Sequence, residues 1–155
     1  MVHIAIMNRQ VGLIDKILSG EKTIESRWLK TKSAPFGKVH VGDRIYFKES
    51  GGSVRAVALV SQVKEYSDVG MQDIREVVQE YGGKGKIALV DDNYQQWAAQ
   101  KKYIVLMWLE HAQAIEPFFI DKTGFGTGAA WLTLEDITKV QTSHRGKETQ
   151  PIKSR

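Results

Sequence analysis

The chain has 155 residues, 42% of them hydrophobic and 26% charged, which fits one globular domain able to bury a core without metal or disulfide help. It contains no cysteine, so disulfides, thiol nucleophiles and cysteine-ligated zinc are excluded, and the composition fits a cytoplasmic protein. The net charge of +4 is segregated: Lys22 to Arg55 carries +5, Ala56 to Val140 carries −4 and Gln141 to Arg155 carries +3, which points to an anionic partner for the basic region.

"VHIAIM" (Val2 to Met7) alternates and reads as a first strand. It is too short for a secretory core and has no basic leader. No apolar run approaches the roughly 20 residues needed to cross a bilayer, so no membrane partner is expected. Val11, Ile14 and Leu18 fall at the spacing of an amphipathic helix. Gly20 stands where a C-terminal capping glycine belongs. "KTIESRW" (Lys22 to Trp28) follows as a strand and Lys30 to Lys38 as a loop punctuated by Ser33, Pro35 and Gly37.

"VGD" turns the chain into "RIYFKES", and Gly51–Gly52 predicts a hairpin into "VRAVALVSQV". Ser67 or Asp68 is expected to cap a helix ending at Tyr81, with Ile74, Val77, Val78 and Tyr81 facing the core. "GGKGK" then makes a loop. Asp91 or Asp92 is expected to cap a short helix through Trp97, and "YIVLMWLEHAQAIEPF" is one long or bent strand. "GFGTGAAW" is a glycine-rich loop before a last strand, "WLTL". The fold expected is α+β: a small β-barrel of about six strands with two or three flanking helices. Residues 1–140 form the domain, and 141–155 form a basic, flexible tail.

Several site types are weak on their own residues. His3, His40, His111 and His144 show no metal-ligand spacing, so neither a metal nor a cofactor is expected. "GFGTGA" matches a loose dinucleotide pattern but runs into a strand rather than a helix. Its Gly124, Gly126 and Gly128 predict a turn able to move over a cleft, with Trp131 at its base. Trp28 and Trp131 flank polar or glycine-rich loops; each can stack on a base or fill a barrel end.

The densest polar stretch is "GEKTIESRW", Gly20 to Trp28. In a regular strand Thr23, Glu25 and Arg27 share one face, and Lys22 joins them only if the chain bends at the helix exit. A lysine beside a carboxylate is held charged, or is desolvated toward a reactive amine. An arginine can clamp phosphate or carboxylate. A surface ion-pair cluster of little energetic worth is the competing reading.

Gly20, Lys22, Glu25 and Arg27, read as G-x-K-x-x-E-x-R after "LIDKILS", resemble the signature of the ASCH domain, a member of the PUA-like superfamily. The resemblance continues through "VGDRIYFKESGG" and "VRAVALVSQV" and covers most of Val2 to Leu134. It implies a barrel with a cleft beside the motif and an RNA or nucleotide-like ligand, met by Lys22, Thr23, Glu25, Arg27, Trp28, Lys30, Lys32 and Trp131. Some small members of that family deacylate a modified cytidine with a lysine, a threonine and a glutamate. Lys22 matches the lysine, but Glu25 stands where that subtype has threonine. Three readings follow: a nucleic-acid or nucleotide-binding domain, a hydrolase using Lys22 and Glu25 as acid and base, or a protein-interaction domain.

Overall fold

The computed structural model describes residues 1–89, 93–126 and 128–142. Seven strands form one mixed sheet: β1 (Val2–Met7), β2 (Ile24–Leu29), β3 (Arg44–Glu49), β4 (Val54–Tyr66), β5 (Tyr103–Ile120), β6 (Trp131–Leu134) and β7 (Gln141–Thr142). The helices are α1 (Leu13–Ser19), α2 (Met71–Tyr81) and α3 (Tyr94–Ala98). None of them is long and apolar enough to cross a membrane.

The strand order is β2-β5-β4-β3-β1-β6, with β7 paired to β5. β1 runs parallel to β3, and the other strand pairings among the described residues are antiparallel; an isolated parallel bridge joins Lys22 and Lys86. Three register shifts between β4 and β5 mark bulges that bend both strands and curl the sheet. The sheet forms a curled half-barrel, the partial form of the expected barrel: among the described residues β2 and β6 end the sheet path and are not paired with each other.

β5 is apolar over "IVLM" because both of its faces are covered. Val105 and Met107 face a core shared with Phe47, Ala58, Ile14 and Ile17. Ile104 and Leu106 face a second core with Ile24, Ile74, Val77 and Ala98. Helices α2 and α3 therefore cover the outer face at the β2 end of the sheet, and α1 packs on the inner face.

Several boundaries move for local reasons. Gly12 takes a left-handed conformation, φ 63°, which separates a 3-10 turn at Arg9–Val11 from α1 and splits the single helix expected from Val11. Helix α2 begins at Met71, not after Ser67 or Asp68. Asp68 has φ 51°, Val69 N–H bonds to Lys102 O at 3.0 Å, and Gly70 N–H donates to Asp73 Oδ2 at 2.8 Å. Asn93 precedes α3, whereas Asp91 and Asp92 lie outside the described residues. The sheet also runs past the expected boundary at Val140, because Gln141 and Thr142 pair with Ile120 and Phe119. The rest of the expected tail, 143–155, lies outside the described residues.

Candidate functional site

The site begins at the exit of α1. Gly20 adopts φ 85° and its N–H bonds back to Ile17 O, a conformation open to glycine without the steric cost of a side chain. Lys22 N–H then reaches Lys16 O at 2.9 Å, so the chain folds back sharply on the helix end. Thr23 and Ile24 both donate backbone N–H groups to Lys86 O, at 2.9 and 3.0 Å. This is the bend that Lys22 needs in order to join Glu25 and Arg27, and the loop after α2 is what holds it.

The bend turns Lys22 inward. Its side chain is 3% exposed, and Nζ donates to Ile24 O at 2.8 Å and to Ile87 O at 2.9 Å. The Glu25 Oε1 atom lies 3.3 Å from the same nitrogen. Burial pushes the Lys22 pKa down, and Glu25 opposes that push. An ammonium has three donors and an amine has two. Three acceptors around one nitrogen therefore specify the charged form.

Glu25 is equally buried, at 3% side-chain exposure, and its second oxygen accepts from Arg27 Nε at 2.9 Å. Arg27 reaches across the open seam of the sheet. Nη2 lies 3.3 Å from Ile6 O in β1, and Nη1 lies 3.2 Å from Ala130 O just before β6. Its guanidinium also sits 5.2 Å from the centre of the Trp131 ring. Lys22, Glu25 and Arg27 thus form a cluster of net charge +1 in the seam.

Above the cluster is a cavity of about 250 Å³, lined by Lys22, Glu25, Arg27, Trp28, Ile87 and Trp97 among others. β2 is an edge strand, so residues of both of its faces reach the opening. The Trp28 indole is fixed by a hydrogen bond to Ser26 Oγ at 2.9 Å. It meets Trp97 edge to face, with ring centres 5.4 Å apart.

The structure therefore brings together Lys22, Glu25, Arg27 and Trp28 of the sequence candidates. Thr23 does not line this cavity; its hydroxyl bonds to Gly85 O. Trp131 is buried in the inner core and donates from Nε1 to His3 Nδ1 at 3.2 Å. Lys30 and Lys32 are exposed in the loop after β2, with Lys32 over the Phe36 ring. Trp97 and the Ile87–Leu89 wall were not among the sequence candidates. Trp97 is 69 residues from Trp28, and nothing in its local pattern marks the pairing.

The chain is a curled mixed sheet with flanking helices, with a cleft beside the α1–β2 bend. More narrowly, the fold is that of an ASCH domain. The ASCH protein of Zymomonas mobilis superposes with a TM-score of 0.64 over 94% of this chain and 98% of its own, at 15% identity. A variant of that protein gives the same TM-score at 16% identity, over 90% of this chain and 96% of its own. No family profile and no curated protein sequence matches the chain.

Proposed function

We propose that this chain is an ASCH-type binding domain that takes a single nucleobase, from single-stranded RNA or a nucleotide, into the seam cavity. The observation that carries the reading is the cavity itself. The Trp28 indole, a buried carboxylate and two cations line one small space. Its volume of about 250 Å³ lies just below the range of ligand sites that begins at roughly 300 Å³, which suits one planar ring system. Unstacked bases are held by such means, stacking on an aromatic face with hydrogen bonds at the edge. In this reading Glu25 meets a base edge, Lys22 holds Glu25 in place, and Arg27 shapes the opening. Lys30 and Lys32, exposed beyond Trp28, meet the phosphates that follow.

The hydrolase reading is less well supported. An ammonium donating to Ile24 O, Ile87 O and Glu25 has no lone pair for attack or proton abstraction. Titration with nucleotides and short single-stranded RNA, followed by tryptophan fluorescence, tests the proposal. Binding by the parent should weaken by about 1–3 kcal/mol in Trp28→Ala, the usual worth of one stacked base. Equal affinity in that variant sinks the base-cavity reading. Turnover of an acylated cytidine by the parent, lost in Lys22→Ala, replaces binding with hydrolysis.

A further inference from the structure

A second cleft opens on the other side of the β1 end. Its volume is about 510 Å³, and Ile6, Met7 and Asn8 line both openings. Asn8, Arg9, Ser50 and Lys122 are its polar side chains, and Gly128 to Ala130 supply backbone. Two cations and no carboxylate line it among the described residues. Lys122 is buried at 7% exposure, and Nζ is held at the wall by Ala129 O at 2.9 Å. Arg9 is exposed, and its Nη1 lies about 3.5 Å from where a Cβ on Gly51 would stand. The turn after β3 thus brings the guanidinium close to the Gly51 backbone, on the same cleft as Ser50.

We propose that this cleft is an anion site for the phosphate of a nucleotide whose base occupies the seam cavity, a reading that rests on the base assignment above. Arg9 supplies the planar donor pair suited to phosphate oxygens. Lys122 supplies a fixed point charge, and the Asn8 and Ser50 side chains supply neutral hydrogen-bonding groups at the rim. The segment from Ile6 to Asn8, which lines both openings, is where the sugar crosses. Neither cleft alone distinguishes a nucleotide from a nucleoside; the pair does.

The experiment compares the four nucleosides, their 3′- and 5′-monophosphates and inorganic phosphate, using the intact chain. Binding is read by calorimetry, and the Gly128 and Ala129 amides by NMR. Because Lys122 is buried, the variants are at the exposed position: Arg9→Gln and Arg9→Lys. A monophosphate should bind about tenfold tighter than its nucleoside, as expected for one added charge-assisted hydrogen bond. Arg9→Gln should shrink that ratio toward one, and Arg9→Lys should restore part of it. Equal affinity of nucleosides and monophosphates for the parent overturns the anion site and leaves the base cavity standing. A ratio unchanged in Arg9→Gln overturns it as well. If nucleosides do not bind but inorganic phosphate shifts Gly128 and Ala129, the anion site stands and the base reading falls. If neither phosphate nor monophosphate moves those amides, the site is overturned.

Discussion

Arg27 Nε donates to Glu25 Oε2 at 2.9 Å, two residues apart on one face of β2. The same guanidinium reaches Ile6 O and Ala130 O at the opposite end of the sheet path. One side chain therefore does two things. It completes the neutralisation of a buried carboxylate, and it spans a seam that backbone hydrogen bonds leave open.

The first prediction concerns that carboxylate. Glu25 lies between two cations, so Glu25→Gln leaves a buried ammonium facing a guanidinium. Removing one partner of a buried pair costs about 3–5 kcal/mol. Lys22→Met should cost less, because Arg27 still compensates Glu25. The double variant Lys22→Met/Glu25→Gln should recover part of the loss, giving a coupling energy in a double-mutant cycle. Urea unfolding of the four proteins measures this. Additive losses would show that the two groups do not interact.

The second concerns pH. His3 is fully buried, and its Nε2–H donates to Asp43 Oδ2 at 2.8 Å while Nδ1 lies 3.0 Å from Thr133 Oγ1 and 3.2 Å from Trp131 Nε1. Burial lowers the His3 pKa, Asp43 opposes that, and the N-terminal ammonium and His40 add to it. Burial acts to raise the Asp43 pKa, but hydrogen bonds from His3 and the His40 N–H outweigh it, and the net shift is downward. Both groups are depressed in the fold, so both stabilise it above their unfolded values and cease to do so as pH falls. Stability should decline from about pH 6.5, the unfolded histidine value, and again below about pH 4 as Asp43 titrates. His3→Gln keeps a donor for Asp43 and should flatten the first decline. A parent urea midpoint constant between pH 7.5 and 5 contradicts this.

The third concerns two capping glycines. A Cβ at Gly20 meets no atom within 4 Å, so Gly20→Ala should cost only the left-handed backbone, about 1–2 kcal/mol. Gly82 has an ordinary helical φ of −74°, but a Cβ there lies 2.5 Å from Val78 O. Gly82→Ala should be the more destabilising change, for steric rather than conformational reasons. Thermal unfolding of both variants gives the order, and the reverse order refutes the argument.

The fourth concerns the basic loop. Lys30 and Lys32 are exposed just past Trp28. If they meet phosphates, Lys30→Glu/Lys32→Glu should weaken single-stranded RNA binding. It should also flatten the slope of log affinity against log salt by about 0.7 for each phosphate no longer neutralised. The background should be a chain ending at Thr142, which keeps the β7 pairing and removes the basic residues beyond it. An unchanged slope assigns the salt dependence elsewhere.

Local patterns determined the strands and helices of this chain. The alternation in "VHIAIM", the two-sided apolar run at Ile104 to Met107 and the Gly20 helix stop depend on neighbours a few residues away, so each could be read directly. The polar density of Gly20 to Trp28 could be read as a candidate site for the same reason.

What tertiary structure decided was which polar groups meet. Lys22 faces Glu25 because Lys86 O holds the bend after α1, a hydrogen bond across more than sixty residues. Trp28 found Trp97 rather than Trp131, since α3 covers the outer face of β2 while Trp131 enters the inner core with His3. Thr23, adjacent to Lys22, was turned away toward Gly85. Bulges in β4 and β5 curl the sheet, and among the described residues the seam between its end strands β2 and β6 is where Arg27 and the cavity lie. Sequence spacing carries strand parity, but long-range backbone hydrogen bonds choose the direction in which a bent chain presents it.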